Sequence, residues 1–171
     1  MKQRLRELLG DPERGKIGQN LKYDAAVLRG AGIPLRGVAF DTLVAAQLLE
    51  PGRDVSHRLD DLARRYLGAR TVHYGDVVGH GEGELTFDQV DEESAARDAV
   101  EDAVVAWRLA EVLGPELREA GLEALFEKIE APLVEVLERM EHRGVLIDLD
   151  RLAEINRSME AEQQRLEREI H

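Results

Sequence analysis

Two short apolar runs, each followed at once by a helix-patterned stretch, constrain this chain more than any other feature. Lys16-Ile17-Gly18-Gln19 reads as a buried strand, and Asn20 stands where it can cap a helix that carries Leu21, Ala25 and Leu28 and ends at Gly30. Gly37-Val38-Ala39-Phe40 repeats the pattern. Asp41 or Thr42 takes the cap position, Leu43, Ala46, Gln47 and Leu49 follow, and Pro51-Gly52 stops the helix. Two strand–helix units in succession favour parallel pairing and an α/β architecture.

The rest of the pattern is helical. Leu5, Leu8 and Leu9 predict a short amphipathic helix ending near Gly10, before a turn at Asp11-Pro12. Leu59, Leu62, Ala63 and Tyr66 share a stripe between His57 and Leu67, and the glycine-rich run Gly75 to Glu84 predicts an irregular loop. A long helix is expected from about Asp91 to Leu113, with Ala95, Ala99, Val100, Ala103, Val104, Ala106 and Trp107 on its packed side. Another runs from about Leu122 to His142 and tolerates Pro132 only as a kink or a boundary. Arg143 to Asp148 reads as a turn and a short strand, with Asp148 or Asp150 capping a last amphipathic helix through Leu152, Ile155, Met159, Leu166 and Ile170.

Composition decides four further points. With 43% of its 171 residues hydrophobic and only 5 prolines, the chain has enough apolar material for a core. The absence of cysteine excludes a disulfide framework, a thiolate metal site and a thiol nucleophile. No apolar stretch follows Met1 and no 18-residue apolar run occurs, so neither a secretory signal nor a membrane span is expected, and a cytoplasmic protein is. The net charge of −12 speaks against a non-specific grip on nucleic acid through a basic surface, and only residues 1–30 carry more basic than acidic side chains. Net charge governs long-range steering, however, and does not exclude a local DNA site.

Without cysteine, any metal chemistry rests on carboxylate and imidazole. Asp24 lies on the first turn of the helix after the first strand, close to the carboxyl end of a strand where α/β proteins place ligands. A plain helix-dipole role fits it too. Asp98 and Asp102 are i and i+4 on the long helix with Glu101 beside them; their carboxylates project from one face, either as solvated surface or toward a cation. The five histidines show no ligand spacing, and no GxSxG elbow, Walker loop or dinucleotide fingerprint occurs.

GQNLKYD (Gly18 to Asp24), LRGVAFDT (Leu35 to Thr42), LDDLARRYLG (Leu59 to Gly68), LTFDQV (Leu85 to Val90), AVEDA (Ala99 to Ala103) and IEAPLVEVLERMEHRGVLID (Ile129 to Asp148) occur in one order. In that order and spacing the chain closely resembles the bacterial DNA polymerase I family, over essentially its whole length. The resemblance implies a helix-rich α/β chain: an incomplete ribonuclease-H-like 3′–5′ exonuclease domain over residues 1–115, then the connection and first thumb helix of a polymerase domain over 116–171.

The family's exonuclease hydrolyses the 3′-terminal phosphodiester with two divalent metals, Mg²⁺ or Mn²⁺, held by four acids. By motif, the resemblance makes Asp24 and Asp102 metal ligands, places Asn20 and Tyr23 against the 3′ end of a DNA strand, and puts Tyr74 where the family has an aromatic residue against single-stranded DNA. Stacking on aromatic rings holds an unpaired base whatever its identity. Asp98 stands where the family has a tyrosine that orients the attacking water, and an aspartate there is shorter and anionic.

The family's first-motif acids, an Asp-x-Glu on a strand, are expected to precede residue 1, and the palm and fingers to follow residue 171. The chain alone is therefore expected to be inactive in both reactions. Its expected partners are single-stranded DNA 3′ ends and the remainder of a monomeric, nucleoid-associated polymerase. A non-catalytic scaffold that braces the polymerase is the other reading; a stand-alone nuclease of the ribonuclease D kind is weakened by the Ile129 to Asp148 segment.

Overall fold

The computed structural model describes residues 2–52, 55–71 and 89–170. Helix α1 (Lys2–Gly10) leads into strand β1 (Lys16–Gly18), helix α2 (Leu21–Gly30), strand β2 (Val38–Asp41) and helix α3 (Thr42–Leu49). Helix α4 (Leu59–Leu62) winds on into a wider turn over Ala63–Leu67. Helix α5 (Glu92–Glu119) follows, then the one-turn helix α6 (Glu123–Leu125), a second wide turn at Phe126–Glu130, helix α7 (Ala131–Arg143) and helix α8 (Leu149–Ile170). The expected glycine loop, Tyr74 and most of LTFDQV lie outside the described residues.

The two expected strands pair in parallel through α2, with Ile17 opposite Phe40 and Gly18 opposite Asp41, and an irregular step between Lys16 and Ile17. Gly37 permits that arrangement. Its φ of +70° is open to glycine at no steric penalty, and a Cβ there would lie 2.6 Å from the Pro12 carbonyl oxygen. Its own carbonyl accepts the Lys16 N–H at 2.8 Å, which carries the ladder one step beyond β2.

Two compact units divide the chain at Met1–Arg139 and Met140–His171. In the first, α5 packs against α3, α4 and β1. Val105, Leu109, Leu113 and Leu117 recur every fourth residue and are buried with Ala45, Leu62 and Phe126. The Phe40 and Phe126 rings meet at 4.8 Å between centroids, tilted by 41°. This packing carries α5 past the end expected near Leu113: Pro115 forfeits one backbone hydrogen bond, yet burial of Leu117 on the same stripe keeps the helix intact to Glu119. The packed side expected earlier on α5 is corrected too. Val100, Val104 and Trp107 are exposed, and the buried stripe begins at Val105.

Pro132 is the second residue of α7, directly after the wide turn Phe126–Glu130 that runs into it without a break, so the missing N–H falls where the winding changes from wide to α-helical. The second unit consists of the end of α7, an extended link and α8. The short strand expected near Val145 to Ile147 does not form: among the described residues no strand lies beside it, and these side chains are exposed. Asp148 does cap α8, accepting the Arg151 N–H at 2.9 Å.

Candidate functional site

The junction between β1 and α2 departs from an ordinary helix start. Asn20 holds φ 57° and ψ 48°, the left-handed region, and is the one non-glycine residue with positive φ among those described. Its side chain caps nothing, contrary to the expectation for this position. A neighbouring element supplies the acceptor instead. Asp41, at the end of β2 and 1% exposed, receives the Asn20 N–H at 3.1 Å on Oδ1 and the Leu21 N–H at 2.7 Å on Oδ2. The same carboxylate caps α3 through the Leu43 N–H at 2.9 Å and the Val44 N–H at 3.4 Å. One buried carboxylate thus serves the first amides of two helices. Burial pushes its pKa up, and the four backbone N–H groups pull it back down.

The left-handed turn frees the Asn20 carboxamide, which makes no hydrogen bond with a described residue, and lifts Tyr23 and Asp24 onto the exposed side of α2. Tyr23 is 65% exposed. A hollow of about 350 Å³, lined among others by Ile17, Leu21, Tyr23, Asp24 and Val27, runs along this side. Gln19 points elsewhere: its amide donates to the His57 carbonyl at 2.8 Å and its oxygen accepts from the Thr42 hydroxyl, which pins the β1–α2 junction to the segment before α4.

Asp102 on α5 lies close enough to Asp24 on α2 to feel its charge. The Asp102 carboxyl is pushed up by burial first and then by the negative charges of Asp98, Glu101, Asp24 and Asp60. Asp24 is pushed up by burial and by Asp41, and Asp98 by burial and Glu101. Asp24, Asp98 and Asp102 make no hydrogen bond or ion pair with a described residue. Sequence reasoning missed Asp41 and Asp60 as members of this neighbourhood. Asp41 carried a local signal, its cap position before Leu43, whereas nothing in the spacing of Asp60 pointed here.

Carboxylate oxygens that repel one another and have no cation beside them are the donor type a hard divalent ion takes. Among the described residues, however, no group of three or more His, Asp or Glu side chains converges as a metal set. These residues alone therefore do not fit a two-metal cluster.

A parallel β1–α2–β2 unit packs on a long helix, and acids of α2 and α5 share one electrostatic neighbourhood. Residues 1–118 match the family model described as the 3′–5′ exonuclease of family A DNA polymerases, and the chain belongs to that family. Among curated relatives, the DNA polymerase I of Rhizobium leguminosarum is 40% identical over 168 residues, covering 98% of this chain and 16% of its own length. That of Pseudomonas aeruginosa is 40% identical over 170 residues, covering 98% and 18%. The chain thus spans under a fifth of the length of these relatives. A solved structure described as the POL domain of Pol1 from M. smegmatis in complex with DNA primer-template and dNTP superposes with a TM-score of 0.75 at 32% identity, over 94% of this chain and 24% of that one. Among the described residues no helix is long and apolar enough to cross a membrane.

Proposed function

We propose that this chain is the 3′–5′ exonuclease region, of ribonuclease-H-like fold, within a DNA polymerase I that acts in DNA replication and repair, and that residues 116–171 open its polymerase domain. The observation that carries the reading is the charge coupling of Asp102 to Asp24: two acids 78 positions apart, on different helices, share one electrostatic neighbourhood in which neither forms an ion pair with a described residue. In this reading Asp24 and Asp102 contribute oxygen ligands to Mg²⁺ or Mn²⁺. The Asn20 carboxamide and the exposed Tyr23 ring hold the 3′ end of a single strand; Tyr74, outside the described residues, is given a contact with single-stranded DNA by the family resemblance alone. When bound there, a divalent cation would supply charge neutralisation at the scissile phosphate. The chain alone does not cleave DNA, since two carboxylates leave most of each cation's coordination unfilled.

A non-catalytic scaffold is the second reading. Asp98 favours it, because an anion in the position of the family's tyrosine repels a phosphate and cannot stack. Mn²⁺ titration of the polymerase that carries this segment, followed by electron paramagnetic resonance, separates the two. Binding lost in Asp24→Asn and in Asp102→Asn supports the exonuclease reading; binding indifferent to both supports the scaffold.

A further inference from the structure

We infer that Asp41 is a positioning residue for the candidate site, holding Asn20, Tyr23 and Asp24 in place from a buried seat on β2. The inference rests on the exonuclease reading for what the site binds, and on geometry alone for what Asp41 does. An ordinary N-cap satisfies one helix. Here a second pair of amides, those of Asn20 and Leu21, converges on the same carboxylate from a segment 20 positions earlier.

The left-handed Asn20 explains why that second pair is needed. An L-residue in this region is strained, asparagine less than most, and such a conformation persists only when its surroundings impose it. At Asn20 the imposing contacts are its own N–H and that of Leu21, both held by Asp41, together with the Asn20 carbonyl, which accepts the Tyr23 N–H at 2.9 Å. Removing the carboxylate frees two buried or half-buried donors and lets Asn20 relax to the right-handed or extended region. Either change swings the first turn of α2, which carries Tyr23 and Asp24. Thr42, next in sequence, braces the same junction by donating its hydroxyl to the Gly18 carbonyl at 3.2 Å.

The capping and positioning roles separate by substitution. In Asp41→Ser a hydroxyl remains within reach of the α3 amides but is too short to bridge to α2. Asp41→Asn keeps the shape; with its oxygen in the place of Oδ1 it retains Asn20, Leu43 and Val44 and turns an NH₂ group against the Leu21 N–H. Amide hydrogen exchange by NMR on the 171-residue chain, with fluorescence anisotropy of a short single-stranded DNA bearing a free 3′ hydroxyl in Mn²⁺, reads both roles. In Asp41→Ser the Asn20 and Leu21 amides are expected to exchange about tenfold faster or more while Leu43 and Val44 keep their protection, and DNA binding to weaken about tenfold. In Asp41→Asn the increase is expected at Leu21 alone. Native protection of Asn20 and Leu21 in Asp41→Ser overturns the inference, as does unchanged DNA affinity once those amides have opened. If the unsubstituted chain fails to bind the oligonucleotide, the exonuclease reading falls, and the exchange data still decide whether Asp41 holds the turn.

Discussion

Arg29, in the last turn of α2, forms a two-pronged ion pair with Glu138 on α7: Nε donates to Oε1 at 2.6 Å and Nη2 to Oε2 at 2.5 Å. The partners lie 109 positions apart, and they differ in exposure, with 40% of the Arg29 side chain accessible against 1% of Glu138. The helix that bears Tyr23 and Asp24 at one end is thus anchored at the other. A guanidinium fork matches a carboxylate in plane, and this sets the roll of α2 as well as its distance from α7.

The difference in exposure dictates the order of two substitutions. Arg29→Met strips a two-pronged counter-charge from a buried carboxylate, whereas Glu138→Gln leaves a guanidinium that can turn to water. Both are expected to lower the melting temperature, Arg29→Met by more. Thermal unfolding followed by circular dichroism checks the order, and equal shifts would mean that Glu138 is not buried as described.

Gly37 offers a test of the strand pairing. Gly37→Ala adds a Cβ 2.6 Å from the Pro12 carbonyl oxygen and 2.9 Å from that of Arg14, at a φ of +70°. Both obstacles are backbone, which cannot swing aside. A loss of about 3 kcal/mol is expected, combining the left-handed strain with overpacking. Gly121, with φ +72° and open space around it, isolates the strain, and Gly121→Ala is expected to lose only about 1 kcal/mol. Urea denaturation of both variants measures the difference.

The acids of the candidate site should tax stability at neutral pH. A carboxyl whose pKa is higher in the folded than in the unfolded chain binds protons more readily when folded. Its contribution to stability is therefore greatest below the unfolded value and falls as pH rises through the folded one. Asp24, Asp98 and Asp102 all lie on this side. Asp61 and Asp91, whose carboxyls are held low by hydrogen bonds, act in the opposite direction, so the variant must be compared with its parent. Asp102→Asn in EDTA is expected to stabilise the chain at pH 7 by about 0.2–0.5 kcal/mol, the size of one like-charge pair a helical turn apart. That gain should shrink toward about pH 4, where the parent's carboxyls take up protons. A destabilised variant at pH 7 would mean that Asp102 has a favourable partner.

How much of this was readable in advance depended on the range of the interactions. The β1–α2–β2 unit was legible because two apolar runs and their turn residues are local signals, and the family motifs singled out Asp24 and Asp102, which lie on different helices and share one electrostatic neighbourhood. Asn20 looked like a cap because its residue type favours caps. The same short side chain also tolerates the left-handed region, and the choice between the two was made by Asp41. The long helix runs past its expected end near Leu113, through Pro115, because burial of Leu117 holds the added turn. Val145 to Ile147 has the composition of a strand but no neighbour to pair with among the described residues. Asp60 and the Arg29–Glu138 clamp join positions far apart in sequence, and no periodicity encodes them.

Degradation of 5′-labelled single-stranded DNA by the 171-residue chain in Mn²⁺ tests the proposed division of the site most directly. The expected result is no shortening of the strand, because Asp24 and Asp102 hold only part of a divalent site. Shortening from the 3′ end that disappears in Asp24→Ala would contradict it, and would mean that the acids within this chain suffice for cleavage.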